Sequence, residues 1–143
     1  MNTKKYAVVY QSRNGNTKAV AERIAKNLGV DAISIEDRLD GEIDHLFIGC
    51  GAYMHNMDKK LKDYIEKLPK EQIKKVTPFS TSGSDKTINQ KIADEFKKHG
   101  VAVAGEGLVI TFLLKGHAFI LQKGGKLSKK QESQIDLYCR GID

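Results

Sequence analysis

The chain reads as a doubly wound α/β domain, a five-stranded parallel sheet with helices on both faces, and three observations lead there. Short runs rich in β-branched and aromatic residues alternate with stretches whose apolar positions recur at helical spacing. Polar, Gly-containing breaks separate the two kinds of segment. Parallel strands need crossover connections, and right-handed crossovers lay the helices over both faces of the sheet.

Tyr6 to Tyr10 is the first strand, apolar enough to be buried on both sides. From Thr17 to Leu28, Val20, Ala21, Ile24, Ala25 and Leu28 form a helical stripe, and Gly29 stands where a C-cap belongs. Asp31 to Ile35 is the second strand and His45 to Cys50 the third. The acidic, turn-rich segment between them is too short for a long helix. Leu61, Tyr64, Ile65 and Leu68 stripe a helix from about Asp58 to Leu68, stopped by Pro69.

Lys75 to Ser80 is the fourth strand, with Pro78, which has no amide donor, arguing for the start or edge of pairing. Ile88, Ile92 and Phe96 mark a helix ending at Gly100, and Gly107 to Leu114 is the fifth strand. Lys115 to Lys126, apolar at its centre and flanked by lysines, fits either a cover for the core edge or a docking segment for a partner or dimer mate, with a packed loop as the leading reading. The last helix opens on a capping box, Ser128 with Gln131, and buries Ile135, Tyr138, Cys139 and Ile142.

The 143 residues have the length of one domain with one core, so 1–143 reads as a single unit. A hydrophobic share of 40% with 29% charged residues places the chain among folded globular proteins and outside the disordered class. No apolar run approaches the roughly 20 residues that span a bilayer, and Met1 to Lys5 leads straight into a strand, so a cytoplasmic protein without membrane contact is expected. Cys50 and Cys139 form no Cys-x-x-Cys pair, which leaves a disulfide framework or a zinc site without ligands. Cys50 follows an apolar strand with no adjacent base and reads as core. His45, His99 and His117 show no metal spacing and receive no role.

The net charge of +6 at pH 7 is uneven. Glu36 to Asp44 carries five acids and one Arg, whereas Lys97 to Lys130 carries seven Lys and one Glu. No interleaved aromatics accompany the lysines, so they read as solvated helix faces and not as a nucleic-acid surface.

The chemistry concentrates between the first strand and the first helix. Tyr10-Gln11-Ser12-Arg13-Asn14-Gly15-Asn16-Thr17 runs from a strand end into a helix N-terminus, whose amides have no intrahelical acceptor. Converging N–H groups, the hydroxyls of Ser12 and Thr17, the amides of Asn14 and Asn16 and the positive end of the helix dipole together suit a phosphate dianion. Gly15 permits the close backbone approach such a cradle requires. A Gly-Lys-Ser/Thr P-loop is absent, and Gln11-Ser12 and Cys50 stand where a receiver domain of this topology needs acids.

This loop resembles that of the flavodoxin family, Ser/Thr-x-Thr-Gly-x-Thr, with Ser12, Gly15 and Thr17 on matching positions and Asn14 in place of the middle Thr. The resemblance covers the whole chain in element order, without the insertion in the last strand of long-chain flavodoxins. It implies strand order 2-1-3-4-5 and flavin mononucleotide (FMN) as the cofactor, with the phosphate held by Ser12, Arg13, Asn14, Gly15, Asn16 and Thr17. Arg13 sits at a position that often turns its side chain outward, to solvent or a partner. Ala52, Tyr53, Met54, His55 and Asn56 resemble the family's first isoalloxazine loop, with Tyr53 as the stacking ring, His55 at the surface and Asn56 where Gly is usual. Thr81, Ser82 and Gly83 resemble the second, without its frequent aromatic.

The implied function is electron transfer between redox partner proteins. Two alternatives stand beside it: an FMN-dependent reductase or oxidase acting on a quinone or porphyrinogen, and a flavin-free interaction domain. Family members are typically acidic, whereas this chain is basic, which implies an acidic partner and a less negative potential for the fully reduced flavin.

Overall fold

The computed structural model describes residues 4–12, 15–39, 41–51, 57–82, 87–105, 107–111, 113–114, 117–121 and 126–142. Its main sheet contains β1 (Tyr6–Gln11), β2 (Ala32–Ser34), β3 (His45–Gly51), β4 (Lys75–Ser82), β5 (Ala102–Val103) and β6 (Leu108–Thr111). The order is β2-β1-β3-β4-β5, with β6 also paired to β4, and every pairing is parallel. The helices are α1 (Asn16–Leu28), α2 (Lys59–Lys67), α3 (Thr87–Lys98) and α4 (Lys129–Arg140). Among the described residues no helix is long and apolar enough to cross a membrane.

Strand alternation sends the core to both faces. Ala7, Val9, Leu46, Ile48 and Val76 pack with Leu61 and Ile65 of α2 and with Ile88, Ile92 and Phe96 of α3. Their neighbours Val8, Phe47, Phe79, Leu108 and Ile110 pack with Val20, Ala21, Ile24 and Ala25 of α1 and with Ile135 and Cys139 of α4. Each helical stripe read from the sequence is therefore an inner face. The capping box forms as expected: Ser128 Oγ accepts from the Gln131 amide at 3.1 Å, and Gln131 Oε1 accepts from the Ser128 amide at 2.8 Å.

An ion-pair network ties α1 to α4. Arg23 donates through Nε to Asp136 Oδ1 at 2.8 Å and through Nη2 to Oδ2 at 2.6 Å, while Nη1 lies 3.3 Å from Glu132 Oε2. Asn27 adds an amide donor to Asp136 Oδ1 at 2.8 Å. The guanidinium and this amide hold the Asp136 carboxyl well below the usual carboxylate range.

Three sequence expectations are corrected. Pro78 lies in the middle of β4, opposite Ile48 of β3, and not at a strand start. On its other side β5 pairs with Lys75 and Val76, and β6 pairs from Phe79 onward. The Val76 carbonyl accepts from the Ala104 amide at 2.9 Å, so strand alternation turns the Pro78 nitrogen towards the break between β5 and β6, where no donor is required.

The fifth sheet position is shared by two short strands, β5 and β6, in place of one running from Gly107 to Leu114. Lys115 to Lys126, expected as a loop, contains β8 (His117–Leu121), which pairs antiparallel with β7 (Leu113–Leu114) in a separate two-stranded sheet.

Candidate functional site

The carboxyl ends of β1, β3 and β4 and the N-termini of α1 and α2 meet at one end of the sheet. Such an edge, where the strand order reverses, is where open α/β sheets bind ligands.

Gly15 is the N-cap of α1, with φ 92° and ψ −11°, in the left-handed region that disfavours a side chain. Its carbonyl accepts from the Ala19 amide at 3.0 Å, which starts the helix, and its own amide donates to Ser12 Oγ at 3.0 Å. Gly15 has no side chain with which to cap α1, and the positive end of the helix dipole lies at this point. Ser12 Oγ, already an acceptor, keeps its proton for a further acceptor.

Thr17 behaves differently from Ser12. It is 1% exposed, and its Oγ1 lies 2.6 Å from Oγ1 of Thr81, itself 7% exposed. The start of α1 and the end of β4 are thus joined by a hydroxyl pair across 64 residues of sequence.

Beside the loop, a cavity of about 570 Å³ is lined by Tyr10, Gln11 and Ser12 of the first strand and its exit, Gly15 and Lys18 of α1, and Asp58 and Lys60 at α2. Ser34, Ile35 and Glu36 close its β2 side. Gln11 is buried, and its Oε1 has no hydrogen-bond partner among the described residues.

Register places Gln11 beside Cys50, and Cys50 beside Ser80, as a polar row on the α2/α3 face just below the strand ends. Ser80 is fully buried, and its Oγ also lacks a partner among the described residues. Asp58 caps α2 by accepting from the Lys60 amide at 2.9 Å. Burial pushes the Cys50 thiol up to about 12, so it is an inert part of the core, as its position after an apolar strand suggested.

The structure therefore brings together Ser12, Gly15, Asn16, Thr17 and Thr81 from the expected site, with the backbone of Ser82 completing β4. Arg13, Asn14, Ala52, Tyr53, Met54, His55, Asn56 and Gly83 lie outside the described residues. Sequence reasoning did not single out Gln11, Lys18, Ser34 or Lys60. Gln11 carried the one available signal, a long polar side chain ending a strand that is otherwise apolar. Among the described residues no three His, Cys, Asp or Glu side chains are grouped to hold a metal.

The fold recurs in known structures. A flavodoxin from the domain Archaea superposes with a TM-score of 0.75 at 21% identity, over 96% of this chain and 95% of that one. The rubredoxin oxygen:oxidoreductase of Desulfovibrio gigas gives a TM-score of 0.73 at 12% identity, where 98% of this chain corresponds to 35% of the larger protein. A Lactobacillus acidophilus flavoprotein in complex with FMN gives 0.59 at 17% identity, over 75% of this chain and 93% of that one. Among the curated proteins compared by sequence, none matches. The flavodoxin domain profile matches residues 7–119, which spans β1 to β8, and with the sheet order already described it makes this chain a member of the flavodoxin domain family.

Proposed function

We propose that this chain binds FMN with the phosphate ester at the N-terminus of α1 and carries electrons between redox partner proteins. The observation that carries the reading is the start of α1, where a left-handed Gly15 is the N-cap and its amide donates to the Ser12 hydroxyl just after β1. Converging amides and a free hydroxyl proton are the donor set that a phosphate dianion requires. The buried Gln11 Oε1, an acceptor without a partner among the described residues, supplies a counterpart for ligand hydroxyl groups in the adjoining cavity. The residues present fit the cofactor.

Bound FMN supplies one- and two-electron redox chemistry of its own, and the protein contributes position and electrostatics. Ser12, Asn16 and Thr17, with Arg13 and Asn14, would hold the ester end. Ala52 to Asn56 and Thr81 to Gly83 would hold the ring, with Tyr53 as its stacking partner. The formal charge of +6 favours added negative charge near the ring and steers acidic partner proteins to this surface. The fully reduced flavin accordingly forms at a less negative potential than in acidic relatives.

Reduction of purified, FMN-loaded protein by NAD(P)H with and without an added flavoprotein reductase tests the assignment. Reduction only with the added reductase supports a carrier. Direct turnover of NAD(P)H with a quinone would instead make the chain an enzyme.

A further inference from the structure

We propose that Thr81 is a positioning residue for the phosphate ester, acting through Thr17. This inference rests on the phosphate site proposed above and adds a role for a side chain at the end of β4.

The two hydroxyls lie 2.6 Å apart, and either can donate in the absence of an anion. Each has a single proton, so only one direction operates at a time. A dianion at the start of α1 removes that ambiguity. It accepts the Thr17 proton, and Thr17 Oγ1 then accepts from Thr81, giving the ordered chain Thr81 to Thr17 to phosphate oxygen.

Hydrogen bonds in such a chain polarise one another, and the effect is largest where water is excluded. Thr17 at 1% exposure and Thr81 at 7% meet that condition. Thr81 thereby makes Thr17 a better donor to the anion without touching it. The same bond couples the start of α1 to the end of β4.

The test measures dissociation constants for inorganic phosphate, FMN and riboflavin with the wild-type protein and the variants Thr81→Val and Thr81→Ser. Valine keeps the shape and removes the proton; serine restores the hydroxyl. The expected result for Thr81→Val is a loss of roughly five- to tenfold in affinity for phosphate and FMN, the worth of about one hydrogen bond, with a clearly smaller loss for riboflavin, which has no ester to receive the relay. Thr81→Ser returns both to near the wild-type values.

A Thr81→Val protein that keeps full affinity for phosphate and FMN, or loses riboflavin in the same proportion, overturns the relay. Should the wild type bind phosphate in a Thr81-dependent way but not FMN, the cofactor assignment fails and the relay stands. A wild-type protein that binds none of the three overturns both.

Discussion

The Oγ of Ser12 accepts the amide proton of Gly15 at 3.0 Å, a bond that ties the residue after β1 to the N-cap of α1. It holds Gly15 in the left-handed conformation while sparing the hydroxyl proton for a ligand. Replacing Ser12 with alanine removes both contributions. FMN affinity should fall about tenfold or more in a fluorescence titration, with a change in melting temperature of only a few degrees.

Gly15→Val places a β-branched side chain at φ 92°, where only glycine is comfortable. The strain falls on the anion-binding turn itself. FMN binding should be lost in the same titration, and stability should drop by about 1–3 kcal/mol in urea denaturation.

His45 is buried at the opposite end of β3, stacked on Phe47 with ring centroids 4.2 Å apart, and its Nε2 lies 2.7 Å from Thr77 Oγ1. Thr77 in turn donates to the Ala104 carbonyl, which leaves its oxygen to accept from a neutral, Nε2-protonated imidazole. Burial, and then the charges of Lys75 and Lys4, lower the His45 pKa from 6.5 to about 4. The unfolded chain therefore binds a proton here before the folded protein does. The contribution of neutral His45 to stability is complete above about pH 6.5 and declines as pH falls towards 4. Urea midpoints across this window should show the decline in the wild type and a weaker one in His45→Phe.

The Arg23–Asp136 pair predicts a second acid effect. Because the folded-state pKa of Asp136 is depressed, its contribution is present above the ordinary carboxylate pKa and is lost as pH falls through the folded value. Both side chains are partly exposed, so salt screens the pair. Arg23→Ala should lower the melting temperature at low ionic strength and do so less in molar salt, with FMN affinity unchanged.

Gly49 is set by close packing between β3 and β4. A Cβ there would sit 2.5 Å from Phe79 Cδ2 and closer still to the Phe79 carbonyl oxygen. Gly49→Ala should cost about 3 kcal/mol in urea denaturation, because neither strand can yield without moving the central ladder.

Much of this was legible in the residue order because periodicity is a local signal. Val20, Ala21 and Ile24 on α1, and Ile88, Ile92 and Phe96 on α3, marked the inner faces correctly. Ser128 and Gln131 announced α4 by the chemistry of its first turn.

What stayed hidden depends on neighbours distant in sequence. Pro78 looked like an edge residue because its tolerance comes from the gap between β5 and β6, which β4 alone does not encode. β5 is two residues long, with Ala102 exposed, and has too little apolar pattern to stand out. At the site, Ser12, Gly15 and Thr17 were marked by their spacing before a helix, whereas the Thr17–Thr81 contact spans 64 residues and leaves no local trace.

Recognition of the phosphate ester by the start of α1 is tested most directly by paired titrations of the wild-type protein with FMN and riboflavin. Two or more charge-assisted hydrogen bonds to the ester predict FMN binding tighter than riboflavin by about a hundredfold or more. Equal affinity for the two flavins, or binding of neither, would contradict it.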